Sequence, residues 1–204
     1  MKNILIVDDH SFVLEAYENL LKNIDNNKIE NIYKETSVEN AISLINKDIQ
    51  IDIAFFDISM PKSTLYNIDD GIDLAAYFKA RHPFAKVVFI TMHMEFFILL
   101  KAIHLIKPEV FISKPDIELE TFASILNFIN KSKIYYSQEM LQVYKWTKIN
   151  QVKLDNYDFQ ILSLTKKGVK AKELVNHLPL SLSAIEKRKF YHKLILTDFK
   201  KVTL

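Results

Sequence analysis

Five short runs rich in β-branched and aromatic residues, Ile4–Val7, Ile29–Tyr33, Ile51–Phe56, Lys86–Ile90 and Val110–Ile112, constrain this chain more than any other feature. A segment of helical character follows each of them. Apolar residues recur at three- and four-residue steps after the first run (Val13, Tyr17, Leu20, Leu21, Ile24) and after the fifth (Leu119, Phe122, Leu126, Ile129), the stripe of a helix packed on one side. A strand and helix repeated five times predict a parallel sheet covered by helices on both faces, because parallel neighbours need crossovers and the helices are those crossovers. The expected first domain is α/β and spans residues 1–130.

In an open parallel sheet the functional crevice lies beyond the carboxyl ends of the strands. The residues that fall there are Asp8 and Asp9 after the first strand, Asp57 after the third, Thr91 after the fourth and Lys114 after the fifth. Two adjacent acids and a third from a neighbouring strand repel one another unless a cation sits between them. Their hard oxygens suit Mg²⁺, which keeps several waters and takes phosphate oxygens as further ligands. A phosphoryl group neutralised in this way is open to attack by the Asp57 carboxylate, giving an aspartyl phosphate. Lys114 would then hold one phosphate oxygen as a point charge, and the Thr91 hydroxyl would contact another.

The length, 204 residues, accommodates a second, smaller domain. Without cysteine the chain has neither a disulfide framework nor thiolate metal sites. Its first apolar run meets acid too soon for a signal peptide or a spanning helix, so a cytoplasmic protein without a membrane partner is expected. The net charge of +2 hides an asymmetry: residues 131–204 hold 15 Lys+Arg against 6 Asp+Glu, and residues 1–130 hold 12 against 19. A basic second half points to a polyanionic partner.

Residues 131–150 read as a linker, helical in part. From there to residue 204 three helical segments are expected, Leu154–Leu162, Lys172–Leu178 and Ala184–Leu194, separated at Gly168 and at Leu178-Pro179-Leu180-Ser181. Ser181 and Ser183 stand where an N-cap belongs. Helix, short turn and basic helix is the arrangement that lays a recognition helix in the major groove of DNA. On it, Arg188 is suited to guanine and Glu186 to cytosine, with Ser183 beside them, while Lys170, Lys172, Lys187, Lys189 and Lys193 are suited to phosphates.

The residues Ile6-Val7-Asp8-Asp9-His10, Asp57-Ile58-Ser59-Met60-Pro61, Thr91 and Ser113-Lys114-Pro115 resemble the receiver domains of two-component response regulators over about residues 1–130. The resemblance implies a flavodoxin-like fold with strand order 2-1-3-4-5. It also implies metal binding by Asp8, Asp9, Asp57 and the Ser59 carbonyl, phosphorylation of Asp57, phosphate contacts from Thr91 and Lys114, and an aromatic switch at Phe111. Residues 152–204 resemble the helix-turn-helix of LuxR/NarL-type regulators through Lys172-Glu173-Leu174, Leu178 and Leu180-Ser181-Leu182-Ser183-Ala184-Ile185. The implied partners are a cognate histidine kinase, double-stranded DNA and, once phosphorylated, a second copy of the chain.

Departures from these families set further expectations. The connection Lys62–Gly71 is longer than usual, and Met92 replaces a small residue beside Thr91, which is expected to slow small phosphodonors or hydrolytic water. Glu186 and Arg188 replace the usual Lys and His of the recognition helix. The segment Glu95–Ile106 is apolar most of the way round, from either a thicker core or a cover by the output domain or a second subunit. Two other classes compete: a phosphorylation-dependent adaptor whose helical domain binds protein, and a phosphatase of the haloacid-dehalogenase type. The latter wants a second Asp two residues after the first, where this chain has Ser59.

Overall fold

A computed structural model describes residues 2–25, 29–92, 95–131 and 133–203. Strands and helices alternate: β1 (Lys2–Val7), α1 (Ser11–Asp25), β2 (Ile29–Glu35), α2 (Val38–Ile45), β3 (Ile53–Phe56), α3 (Gly71–Arg81), β4 (Lys86–Thr91), α4 (Phe96–Leu105), β5 (Val110–Ser113) and α5 (Leu119–Asn130). A two-residue strand β6 (Tyr135–Tyr136) and helices α6 (Gln138–Ile149), α7 (Asn156–Lys166), α8 (Ala171–Leu174) and α9 (Leu182–Thr203) follow. The sheet order is β2-β1-β3-β4-β5-β6, parallel throughout. It is the flavodoxin-like order expected, with one strand added at its edge. Among the described residues, no helix is long and apolar enough to cross a membrane.

The strands alternate two buried faces, as a sheet sandwiched between helices requires. Ile4, Ile6, Phe55, Val88, Ile90, Val110 and Ile112 pack with Leu14, Tyr17 and Leu21 of α1 and Phe122, Ile125, Leu126 and Ile129 of α5. On the alternate positions Phe56 meets Phe78 of α3 edge-on, and Phe89 meets Phe111. In α4, Phe96, Leu99, Leu100, Ala102 and Ile103 are buried, and Lys101 pairs with Asp70 and Asp73 at 2.8 and 2.7 Å. The apolar character of α4 thus goes largely into burial, and its one lysine is tied to α3.

Residues 131–150 contain a helix, α6, and a short strand that the linker reading did not include. Tyr135 and Tyr136 pair with Val110 and Phe111 of β5, and α6 follows at once. Two residues are too few for a hydrophobic period, so the strand left no pattern to read. Its anchors are long-range: Tyr135 N–H donates to Glu109 O and Ser137 N–H to Phe111 O, each at 2.9 Å, and the Tyr136 hydroxyl donates to Pro108 O at 2.9 Å. The chain divides into two compact units, Met1–Leu141 and Gln142–Leu204, so β6 belongs with the sheet and not with a free tether.

In the second unit, Asp155 caps α7 through a reciprocal capping box with Asp158. Gly168, at φ 88°, ends that helix: its N–H reaches Thr165 O and the Val169 N–H reaches Leu164 O, respectively the five-to-two and six-to-one bonds of a Schellman motif. Ile161, Leu174, Leu178 and Ile185 form the core, with Leu164, Val169 and Leu180 against it. Trp146 of α6 meets Phe199 of α9 edge-on. The second helix is shorter than Lys172–Leu178, in keeping with the bias away from helix just before Pro179. The third is longer than Ala184–Leu194, because neither Gly nor Pro interrupts residues 182–203.

Candidate functional site

The acids expected at the strand ends converge. Asp8 leaves β1 and Asp57 leaves β3, two neighbouring strands, with their side chains 2% exposed. Lys114 opens a 3-10 turn (Lys114–Asp116) directly after β5, and its Nζ donates to Asp8 Oδ2 and Asp57 Oδ2 at 2.7 Å each. Burial disfavours the ammonium, but the hydrogen bonds to Asp57 and Asp8 outweigh it, so the Lys114 pKa is raised. The second Asp57 oxygen accepts the Ser59 N–H at 3.1 Å. One carboxylate is therefore gripped from both sides with its oxygens held in a set direction.

Asp9 is more open than Asp8, and the exposed His10 ring lies 2.8 Å from Asp9 Oδ1 and 3.3 Å from Asp8 Oδ1. Ligand atoms of Asp8, Asp9 and His10 all lie within 4.8 Å of one another. Hard carboxylate oxygens with a solvent-facing side fit a magnesium ion that keeps part of its water shell. Tyr17 of α1 was legible only as core, yet it feels the same site: burial, then the charges of Asp8 and Asp57, push its phenol above the ordinary range.

Gly71 is the site residue that sequence reasoning missed. A Cβ placed there would lie 1.8 Å from the Asp57 carbonyl oxygen, and the Gly71 N–H donates to Ile58 O at 3.0 Å. The start of α3 thus presses on the backbone of the acceptor loop as only glycine permits. Scarcity was the available signal, since the chain retains just two glycines. The long connection before it folds back on itself, with Ser63 and Ile68 exchanging backbone hydrogen bonds at 2.9 and 3.0 Å. Asp70 then caps α3 by accepting from the Ile72 and Asp73 N–H groups.

Thr91 is fully buried at the end of β4, in register with Ser113 on β5. Met92 beside it is exposed. Phe111, two residues before Ser113, is also fully buried, against Phe89 on one side and against Tyr136 of β6 edge-on at 6.2 Å on the other. The expected switch aromatic therefore touches the added strand, a contact the linker reading had no means to anticipate.

On the second unit, Ser183, Glu186, Lys187 and Lys193 of α9 and Lys170 and Lys172 around α8 are exposed, and Lys189 is half-buried. The N-cap hydrogen bond is made by Ser181, whose Oγ accepts from the Ala184 N–H at 3.2 Å; Ser183 lies inside the helix. Arg188 has partners that the helix alone did not reveal. Its guanidinium bonds both Asp155 oxygens at 2.9 Å and lies 2.7 Å from Asp158. Asp158 in turn meets the buried His192 at 2.9 Å. The hydrogen bonds to Asp158 and Asp155 raise the Arg188 pKa further, whereas burial holds His192 below its ordinary range in spite of Asp158.

No curated protein matches the sequence. Among solved structures, the chain is similar to the response regulator RcsB in a DNA complex, at 23% identity and TM-score 0.65, over 96% of this chain and 91% of that one. It is also similar to RcsB from Salmonella enterica serovar Typhimurium bound to promoter rprA in the presence of phosphomimetic BeF3⁻, at 22% identity and TM-score 0.63, over 94% and 90%. A receiver domain protein from Methanospirillum hungatei JF-1 matches 65% of this chain over 96% of its own length, at 19% identity and TM-score 0.52. At these identities the likeness is one of fold, and with RcsB it extends through both units. The response regulator receiver domain model matches residues 4–126. That match runs from β1 into α5 and takes in Asp8, Asp9, Asp57 and Lys114, and the chain accordingly belongs to the response regulator receiver family.

Proposed function

We propose that the protein is a two-component response regulator in which Asp57 accepts a phosphoryl group from a histidine kinase, and that the phosphorylated form pairs with a second copy and binds DNA through α8 and α9. The observation that carries this reading is the buried Asp57 carboxylate, aimed by the Ser59 N–H and sharing the Lys114 ammonium with Asp8. In the transfer, an Asp57 oxygen attacks phosphorus, the new O–P bond forms as the P–N bond of the donor phosphohistidine breaks, and the leaving imidazole takes a proton from solvent. Lys114 moves its charge from the Asp57 carboxylate to a phosphoryl oxygen. A magnesium ion held by Asp8, Asp9, Asp57 and the Ser59 carbonyl would supply neutralisation of the phosphoryl charge.

The added dianion needs donors on its open side, and Thr91 is the hydroxyl at the neighbouring strand end. Movement of Thr91 toward the phosphate leaves space behind it, and Phe111, two residues before its register partner, is the side chain that responds. Since Phe111 also packs on Tyr136, its response reaches β6. On the output unit, Lys170, Lys172, Lys187, Lys189 and Lys193 are assigned to phosphates, and Ser183 and Glu186 to the groove. Arg188, suited to guanine by its position in the sequence, is withdrawn from base reading because Asp155 and Asp158 occupy its fork.

The adaptor reading draws on the same two facts, an engaged Arg188 and an exposed Glu186. The two readings separate in one experiment: fluorescence anisotropy of labelled duplex DNA with the full chain, before and after acetyl phosphate and Mg²⁺, across a salt series. A regulator gives binding that tightens on phosphorylation, fails to tighten in Asp57→Ala and weakens steeply with salt. Absence of any salt-dependent binding favours the adaptor.

A further inference from the structure

We propose that α9 reads DNA by apolar contact with thymine methyl groups through Phe190, so that the preferred duplex is rich in thymine. The inference rests on the DNA-binding reading above and names what that helix recognises. The buried side of α9 carries Ile185, His192 and Ile195, and the exposed side carries Glu186, Lys187, Phe190, Tyr191 and Leu194. Phe190 is 63% exposed, and Tyr191 and Leu194 stand beside it. Single apolar residues on a surface need no explanation, whereas three of them within about one turn of a lysine-rich helix do.

The chemistry of the flanking residues selects the occupant. Lys187, Lys189 and Lys193 surround the patch, so its partner carries negative charge around an apolar feature. Symmetric pairing of two copies through this face would set those lysines against their own counterparts. A DNA major groove is bounded by phosphates, and the apolar feature on its floor is the thymine C5 methyl. The usual strong reader of guanine, an arginine fork, is spent on Asp155 and Asp158, and Glu186 is suited only to cytosine. That leaves the apolar patch to discriminate a base, with Phe190, more exposed than Tyr191 or Leu194, as the side chain that reaches furthest from the helix.

The test measures anisotropy of the full chain, phosphorylated with acetyl phosphate, on three labelled duplexes of equal length: alternating adenine–thymine, the same with uracil for every thymine, and alternating guanine–cytosine. Wild type is expected to favour the thymine duplex over the uracil duplex by about fourfold for each methyl group contacted. In Phe190→Ala the ratio falls to about one, and Phe190→Leu, which retains an apolar side chain, keeps most of it. A ratio of one in the wild type overturns the inference while leaving DNA binding intact. So does a ratio unchanged in Phe190→Ala, including the case where that variant instead turns a dimer into a monomer by sedimentation. Absence of salt-dependent binding to all three duplexes overturns the DNA-binding reading itself.

Discussion

Replacing Lys114 by Met removes the ammonium that Asp8 and Asp57 share while keeping most of the side-chain volume. Each carboxylate contributes an oxygen 2.7 Å from that ammonium, so the two oxygens lie roughly 5 Å apart, where like unit charges at an effective dielectric of about 20 repel by about 3 kcal/mol. Breaking a buried ion pair from one side costs a similar amount, about 3–5 kcal/mol. Because the chain has two compact units, a single melting temperature would mix them. Hydrogen exchange resolved by segment is the better assay, and 3 kcal/mol corresponds to about 100-fold faster exchange of the β1 and β3 amides. The deficit is expected at pH 7.5 without divalent metal and shrinks with added Mg²⁺, which restores the missing positive charge and stabilises by binding the folded state. Unchanged protection of β1 and β3 at pH 7.5 would refute the claim that Lys114 holds two buried charges together.

Gly71→Ala forces the Asp57 backbone aside, and is expected to cost about 1–3 kcal/mol by denaturant unfolding and to slow phosphorylation by up to about 100-fold. Tyr136→Ala removes the Pro108 hydrogen bond and the ring against Phe111; exchange should rise in β5 and β6 with β1 unaffected. The pH dependence of the second unit follows from His192, which faces Asp158, Arg188 and Lys189. Its folded pKa is lowered, so the unfolded chain binds the proton more readily, and the stability it confers is full above about pH 6.5 and lost as pH falls through the folded value. Trp146, the chain's one tryptophan, lies in that unit and reports the transition. Its denaturant midpoint should drop between pH 7 and pH 5 in the wild type and stay level in His192→Gln.

The strand-end residues were legible because alternation between strand and helix places residues by topology alone: Asp8, Asp57 and Thr91 directly follow an apolar run, and Lys114 stands one residue beyond one. Gly71 was not, since the clash it avoids is with a carbonyl 14 residues away in the chain. The partners of Arg188 lie on another helix, 30 and 33 positions earlier, and helical periodicity says nothing about such a pairing. His192 is a different case. With Ile185 and Ile195 it follows the seven- and three-residue steps of a buried stripe, a pattern visible in the sequence but masked by the basic residues around it. β6 marks the limit of pattern reading, for a two-residue strand is defined by its partner and not by its own period.

Intact mass of the full chain after incubation with acetyl phosphate and Mg²⁺ tests the central claim most directly. The account predicts a gain of one phosphoryl group in the wild type, lost in Asp57→Ala and lost when EDTA precedes the donor. A gain that survives in Asp57→Ala, or that forms equally well in EDTA, would contradict it.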